Sequence, residues 1–166
     1  MAPPRPDFAS LFREHYTRVF RYVRYRVNDE TTAEDLTAEV FERAYRYRDS
    51  YDPDRGAFST WVLRIAHNWV ENHLQAARGK ETQLLDEALS TSDPSPEAQI
   101  IAREMFAQLS LCLDQLNARD REIIALRFGS ELRNKEIAVV MNLKEHSVSV
   151  MLMRALERLR GCQEAS

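Results

Sequence analysis

The chain has 166 residues, 44% apolar and 30% charged. That is the profile of a folded, water-soluble protein of one ordinary or two small domains, not of a disordered chain. Formal net charge is −3, which on its own speaks against a dedicated nucleic-acid binder. The total hides a pattern. Residues 1–78 are net 0, residues 79–98 net −4 and residues 99–166 net +1. If the chain meets DNA, a partner has to help hold it there. No run of apolar residues is long enough to span a bilayer, and the N-terminus lacks the apolar core of a secretory signal. With two cysteines, Cys112 and Cys162, a disulfide framework is not expected, and a cytoplasmic location is the simplest reading.

The elements in chain order are all helical. Phe8, Leu11, Phe12, Val19, Phe20, Val23 and Val27 form one apolar stripe. They predict a helix over roughly 8–27, capped by Asp7. A second helix over roughly 32–48 buries Leu36, Val40, Phe41 and Ala44, and Thr31 with Glu34 reads as its capping box. Asp52-Pro-Asp-Arg-Gly56 is turn chemistry. A third helix over roughly 59–78 carries Trp61, Ile65 and Trp69 at helical spacing. Thirteen of the fifteen aromatic residues lie in 1–78, which predicts a separate aromatic core for that half. Residues 79–95 have linker composition. Ser95-Pro96 reads as a helix start, with that helix running to about Leu116. Asn117 is expected to cap the next, which stops at Gly129. Asn134 is expected to cap a short helix that ends at Asn142, and a last helix runs from about Glu145 to Arg160. The fold class is all-α: helical domains at 1–78 and 96–166, joined by an acidic linker at 79–95.

The short helix, the turn at 142–144 and the last helix make a helix-turn-helix pattern. Ile137, Ala138 and Met141 face inward, Leu143 plugs the turn, and Val148 and Leu152 face back. That packing leaves the start of the last helix free to enter a major groove. The stretch Leu116-Asn-Ala-Arg-Asp-Arg-Glu-Ile-Ile-Ala-Leu-Arg127, with Asn134-Lys-Glu-Ile-Ala138, Ser147-Val148 and Arg154-Ala-Leu-Glu-Arg-Leu-Arg160, resembles region 4 of bacterial RNA polymerase sigma factors. Independently, Ala33-Glu-Asp-Leu36, Glu39-Val-Phe41, Phe58-Ser-Thr-Trp61 and Ile65-Ala-His-Asn68 resemble region 2. The two motifs in this order, without a middle domain, resemble the extracytoplasmic-function (ECF) group of the sigma-70 family.

The resemblance implies a transcription initiation factor rather than an enzyme, with no cofactor and no metal. It implies binding to core RNA polymerase and to promoter DNA, a dedicated anti-sigma factor as partner, no membrane insertion, and a monomer when free. Core docking would fall on Asp35, Glu39 and Glu42, with Ala38 standing where the family's usual Gln is. The upstream (−10) element would be taken by Arg55, Gly56, Phe58, Ser59, Arg64, Asn68 and Arg78. A melted base needs a shaped pocket, hydrogen-bond donors and nearby cations. The −35 element would be read by Lys144, His146, Ser147, Ser149, Met151 and Arg154. Here the family often has Lys or Arg at the positions of Ser149 and Met151, so this helix gains little from phosphate neutralisation. The rival readings are a free-standing helix-turn-helix regulator, or a sigma-like chain whose apolar last helix engages a protein. The four histidines do not pair with cysteine at metal-ligand spacing. Cys112 is expected in the core and Cys162 near a frayed end, with nothing to mark a redox switch.

Overall fold

A computed structural model describes residues 4–78 and 96–165. Within them lie seven α-helices and no strand: α1 (Phe8–Arg26), α2 (Glu30–Arg46), α3 (Phe58–Arg78), α4 (Pro96–Asp114), α5 (Ala118–Ile124), α6 (Asn134–Met141) and α7 (Glu145–Glu164). The expected linker at 79–95 lies outside the described residues.

Local chemistry sets the helix ends. The Asp7 carboxylate accepts the Ser10 amide at 2.7 Å and starts α1, and Asn117 takes the Asp120 amide at 2.8 Å to start α5. Two expected caps move. Asp29, not Thr31, caps α2: its carboxylate accepts both the amide and the hydroxyl of Thr32. A charged acceptor at the positive end of the helix dipole wins over a hydroxyl two residues later. Asn134 is the first residue of α6 rather than its cap. Arg133 holds the cap position, and the Glu136 carboxylate reaches back to its amide at 3.1 Å. Asn142 ends α6 in the left-handed conformation, φ 54°, as its side chain permits.

Gly129 does not terminate a helix by left-handed backbone. After α5 the chain continues as a π-turn over Ala125–Gly129, and the positive φ falls on Glu131 at 59°. Gly129 is small because α1 crosses it. A Cβ there would stand 3.0 Å from the Tyr22 Cα and 3.1 Å from the Arg21 carbonyl oxygen.

That crossing overturns the expectation of a separate aromatic core. One buried cluster joins Val19, Tyr22 and Val23 of α1, Leu36 and Val40 of α2, and Val62, Leu63 and Val70 of α3. The same cluster takes in Ala125, Leu126, Leu132, Ile137, Val140 and Val148 from the C-terminal half. Each fully buried Leu, Ile or Val contributes roughly 1.5–3 kcal/mol, so the two halves share stabilisation. A second cluster of Leu113, Leu116, Ile123, Ile124, Leu152 and Ala155 ties α4, α5 and α7 together.

Cys112 lies in the core as expected, 3% exposed, but the two cysteines are paired. Cys112 on α4 and Cys162 on α7 are joined as a disulfide, 50 residues apart in sequence. Spacing along the chain gave no sign of this pairing, because it depends on α4 lying beside α7.

Candidate polymerase and nucleic-acid interface

The acidic face of α2 is open to solvent. Asp35, Ala38, Glu39 and Glu42 are exposed, while Leu36, Val40 and Phe41 bury the opposite side. Glu42 pairs with Arg46 at 3.5 Å on the same helix. Glu39 is held more firmly. Its carboxylate accepts the Trp69 indole N–H at 2.7 Å, and the Arg43 guanidinium lies 3.6 Å over the Trp69 ring. Trp69 therefore belongs to this face and braces it from α3, a role the helical spacing of the tryptophans did not reveal.

The loop before α3 and the helix itself form a cleft. It is lined by Tyr51, Arg55, Gly56, Trp61 and Arg64, with Val139 of α6 on its rim. The Tyr51 ring lies 5.4 Å from those of Trp61 and Phe58, and the Tyr51 hydroxyl donates to the Gly56 carbonyl at 3.2 Å. Arg55, Arg64, Asn68 and Arg78 are exposed, with guanidinium or amide groups able to donate to phosphates and bases. Phe58 and Ser59 depart from their expected place. They are 5% and 4% exposed and are core residues beneath the loop, because the first turn of α3 faces α1. Trp61 is half-buried and supplies an edge to the cleft.

At the start of α7, Lys144, His146, Ser149 and Arg154 are exposed and Ser147 is half-buried. The Ser149 hydroxyl accepts from the Asn134 amide and donates to the Glu145 carbonyl, both at 3.2 Å. Its oxygen is thus tied to the helix-turn-helix frame. Met151 is half-buried. It packs against the Leu113–Ile123–Leu152 cluster, and the methionine that points outward is Met153, 56% exposed. Val148, Leu152 and Ala155 form the buried stripe, and Met151, one residue before Leu152, falls beside it.

Sequence reading missed a buried polar cluster where the two halves meet. Glu122 of α5 is 2% exposed. Its carboxylate accepts the Tyr22 hydroxyl at 2.8 Å to both oxygens, lies 2.7 Å from the His67 Nδ1 and pairs with the Arg26 Nε at 2.9 Å. Arg26 also pairs with Glu71 and donates to the Ala118 carbonyl at 3.0 Å. Burial lowers the His67 imidazole, but the hydrogen bond and charge of Glu122, with Glu71 behind it, outweigh that and raise it above 6.5. Burial, and then Glu122, push the Tyr22 phenol well above its usual range. His67, Glu71 and Glu122 bring ligand atoms within 4.8 Å of one another, but the Arg26 guanidinium already sits against both carboxylates. The available signal was weak: Glu122 follows Arg119-Asp-Arg121 and only heads the apolar run Ile123-Ile-Ala-Leu126, so nothing local marks it as buried, where a carboxylate needs partners.

The family model for Sigma-70 region 2 matches residues 11–79, and that for Sigma-70 region 4 matches residues 106–159. The chain is 32% identical over 154 residues to the ECF RNA polymerase sigma factor BldN of Streptomyces coelicolor, covering 92% of this chain and 58% of that one. It is 31% identical over 144 residues to the RNA polymerase sigma-H factor of Pseudomonas aeruginosa, covering 80% of this chain and 74% of the other. The fold is similar to that of the sigma factor RpoE in complex with the anti-sigma factor NepR from Bartonella quintana. There the TM-score is 0.76 at 19% identity, over 95% of this chain and 97% of that one. No described helix is long and apolar enough to cross a membrane. With both regions matched in order and relatives of this identity, the chain belongs to the extracytoplasmic-function group of the sigma-70 family.

Proposed function

We propose that this chain is an alternative sigma factor, a regulatory and non-catalytic protein of the cytoplasm. It binds core RNA polymerase, brings it to particular promoters and helps open the upstream element. The observation that carries this reading is the presence of both the region 2 and region 4 families in one chain, in order. The geometry supports a division of labour. The α2 face bearing Asp35, Glu39 and Glu42 is solvent-facing and available for docking on polymerase. The α3 cleft offers Arg55 and Arg64 beside an aromatic edge, the combination that suits single-stranded DNA. The exposed start of α7 offers Lys144, His146, Ser149 and Arg154 for the −35 element.

Few cations lie on that helix face, so affinity for the promoter comes from tethering through polymerase rather than from phosphate contacts of this chain alone. The fold of a sigma factor bound to an anti-sigma factor supports an anti-sigma partner here as well. The domains are proposed at 1–78 and 96–166. Run-off transcription with core polymerase on genomic fragments tests the reading. Transcripts from discrete start sites that need this chain support it, and none above the core-alone background defeats it.

A further inference from the structure

The same charge spacing occurs twice on α2. Glu39 with Arg43, and Glu42 with Arg46, each place a glutamate four residues before an arginine. That is the order in which such pairs attract best along a helix. Glu42 and Arg46 close their pair at 3.5 Å. Glu39 and Arg43 do not. Among the described residues Arg43 forms no ion pair, and its guanidinium lies 3.6 Å from the centre of the Trp69 ring instead. The Glu39 carboxylate accepts the Trp69 indole N–H at 2.7 Å through Oε2. One side chain of α3 thus takes both members of a pair that the helix would otherwise close. Trp69 is half-buried and packs against the large core cluster, which fixes its place, while Glu39 is exposed.

The two contacts differ in what they do to charge. An indole N–H is a neutral donor, so it orients the Glu39 carboxylate without cancelling its charge. The Arg43 guanidinium would cancel it, and the π-face of the ring holds that guanidinium away. Glu42 is already paired, so the open negative charge of this face rests on Asp35 and Glu39, both exposed and one helical turn apart. We propose that Trp69 is a positioning residue for docking on core RNA polymerase: it keeps Arg43 off Glu39, so that the face meets its partner with that charge uncancelled. The inference rests on the sigma-factor reading above, in which this face docks on polymerase. The surface that fits it carries Arg or Lys groups about 5–6 Å apart, the separation of side chains one helical turn apart.

A double-mutant cycle on the full chain tests this. Affinity for core polymerase is measured at one fixed ionic strength, with circular dichroism to confirm helicity. Trp69→Leu keeps an apolar side chain on α3 but releases Arg43 onto Glu39, and affinity is expected to fall about tenfold. With Arg43→Gln already present there is no cation to release, so adding Trp69→Leu is expected to change affinity by less than about threefold. Trp69→Phe keeps a ring beneath Arg43 and loses only the indole N–H; it is expected to bind within about threefold of wild type. A residue that merely braced α2 against α3 would cost the same factor in both backgrounds. Equal losses with and without Arg43, or no loss in either, overturn the proposal.

Nuclear magnetic resonance of the free wild-type protein gives a second test that needs no variant to fold. A guanidinium stacked on an indole ring has its side-chain protons moved upfield by the ring current, and Arg43 is expected to show this. Arg43 protons at ordinary positions overturn the proposal, whatever the binding data give. Wild-type protein that does not bind core polymerase defeats the sigma-factor reading and the docking role with it, while the Arg43 shifts still decide whether Trp69 holds the guanidinium.

Discussion

Breaking the Cys112–Cys162 bond gives a test of how α4 is held. The bond closes a loop of 50 residues, which by chain entropy gives about 4 kcal/mol, with about 2–4 kcal/mol typical of measured bonds. α4 is also held at its C-terminal end, where the Asp114 carboxylate accepts the Asn28 amide at 3.0 Å and pairs with Arg121 at 2.7 Å. Its C-terminal half joins the second cluster through Leu109 and Leu113, with Leu116 just after the helix. Phe106 meets the Tyr25 ring edge-on at 6.1 Å and lies under Arg24 at 4.3 Å. Ile100, Ile101, Met105 and Leu111 are exposed. For a chain of this size the loss corresponds to a fall in melting temperature of roughly 5–15 °C. The assay is thermal unfolding by circular dichroism with and without dithiothreitol, with Cys162→Ser as the reagent-free control, and hydrogen exchange to locate the change. Exchange should rise first in α4, ahead of α5 and α7. In a reducing compartment such bonds are transient, so reduced and oxidised protein differ in how firmly α4 is docked. Two titratable thiols in denatured, untreated protein would show that the bond does not form. Identical melting of oxidised and reduced protein would show that it does not hold α4.

Three further outcomes follow from the site. Asp35→Arg with Glu39→Arg should weaken core polymerase binding by about tenfold or more, with helicity unchanged; unchanged affinity in a pull-down places the docking face elsewhere. His67 is raised above 6.5 by Glu122 and Glu71 against the pull of burial. Its contribution is therefore complete below pH 6.5 and lost as pH rises through the raised value. Buried His15 is lowered, by burial first, so its penalty appears only as pH falls, and the two separate cleanly. The melting temperature should decline with pH above 6.5 in wild type and not in His67→Gln; parallel profiles would mean that His67 does not hold the buried cluster around Glu122. Met151→Arg should cost roughly 1–3 kcal/mol of stability because it abuts the second cluster. Met153→Arg should leave stability alone and steepen the salt dependence of duplex binding by about 0.9; the reverse pattern would mean the α7 faces are misassigned.

Helices were legible because each buries a stripe at helical spacing. Val148 and Leu152, with Ala155, orient the last helix, and Asn142 ends the one before it. Caps were less legible where a charged residue and a hydroxyl competed nearby, as Asp29 and Thr31 did. Contacts between the halves were not legible at all. Gly129 reads as a helix stop in sequence, and only the crossing of α1 shows why nothing larger fits. Glu122, at the end of a charged stretch, and Cys112, in an apolar one, are similar cases in that the partners of each lie 50 or more positions away. Of the site residues, the charged ones, with Asn68, His146 and Ser149, lie on the surface. Phe58 and Ser59 moved to the core because a motif's position along a helix does not say which way its first turn faces. Met151 turned toward the second cluster because its position three residues after buried Val148 sets it beside the inward stripe.

The most direct measurement is reconstituted run-off transcription. Core polymerase plus this chain should yield transcripts from discrete start sites that core polymerase alone does not, and Asp35→Arg with Glu39→Arg should reduce them. Start sites no different from those of core polymerase alone, with the protein folded and present in excess, would contradict the assignment of this chain as an initiation factor.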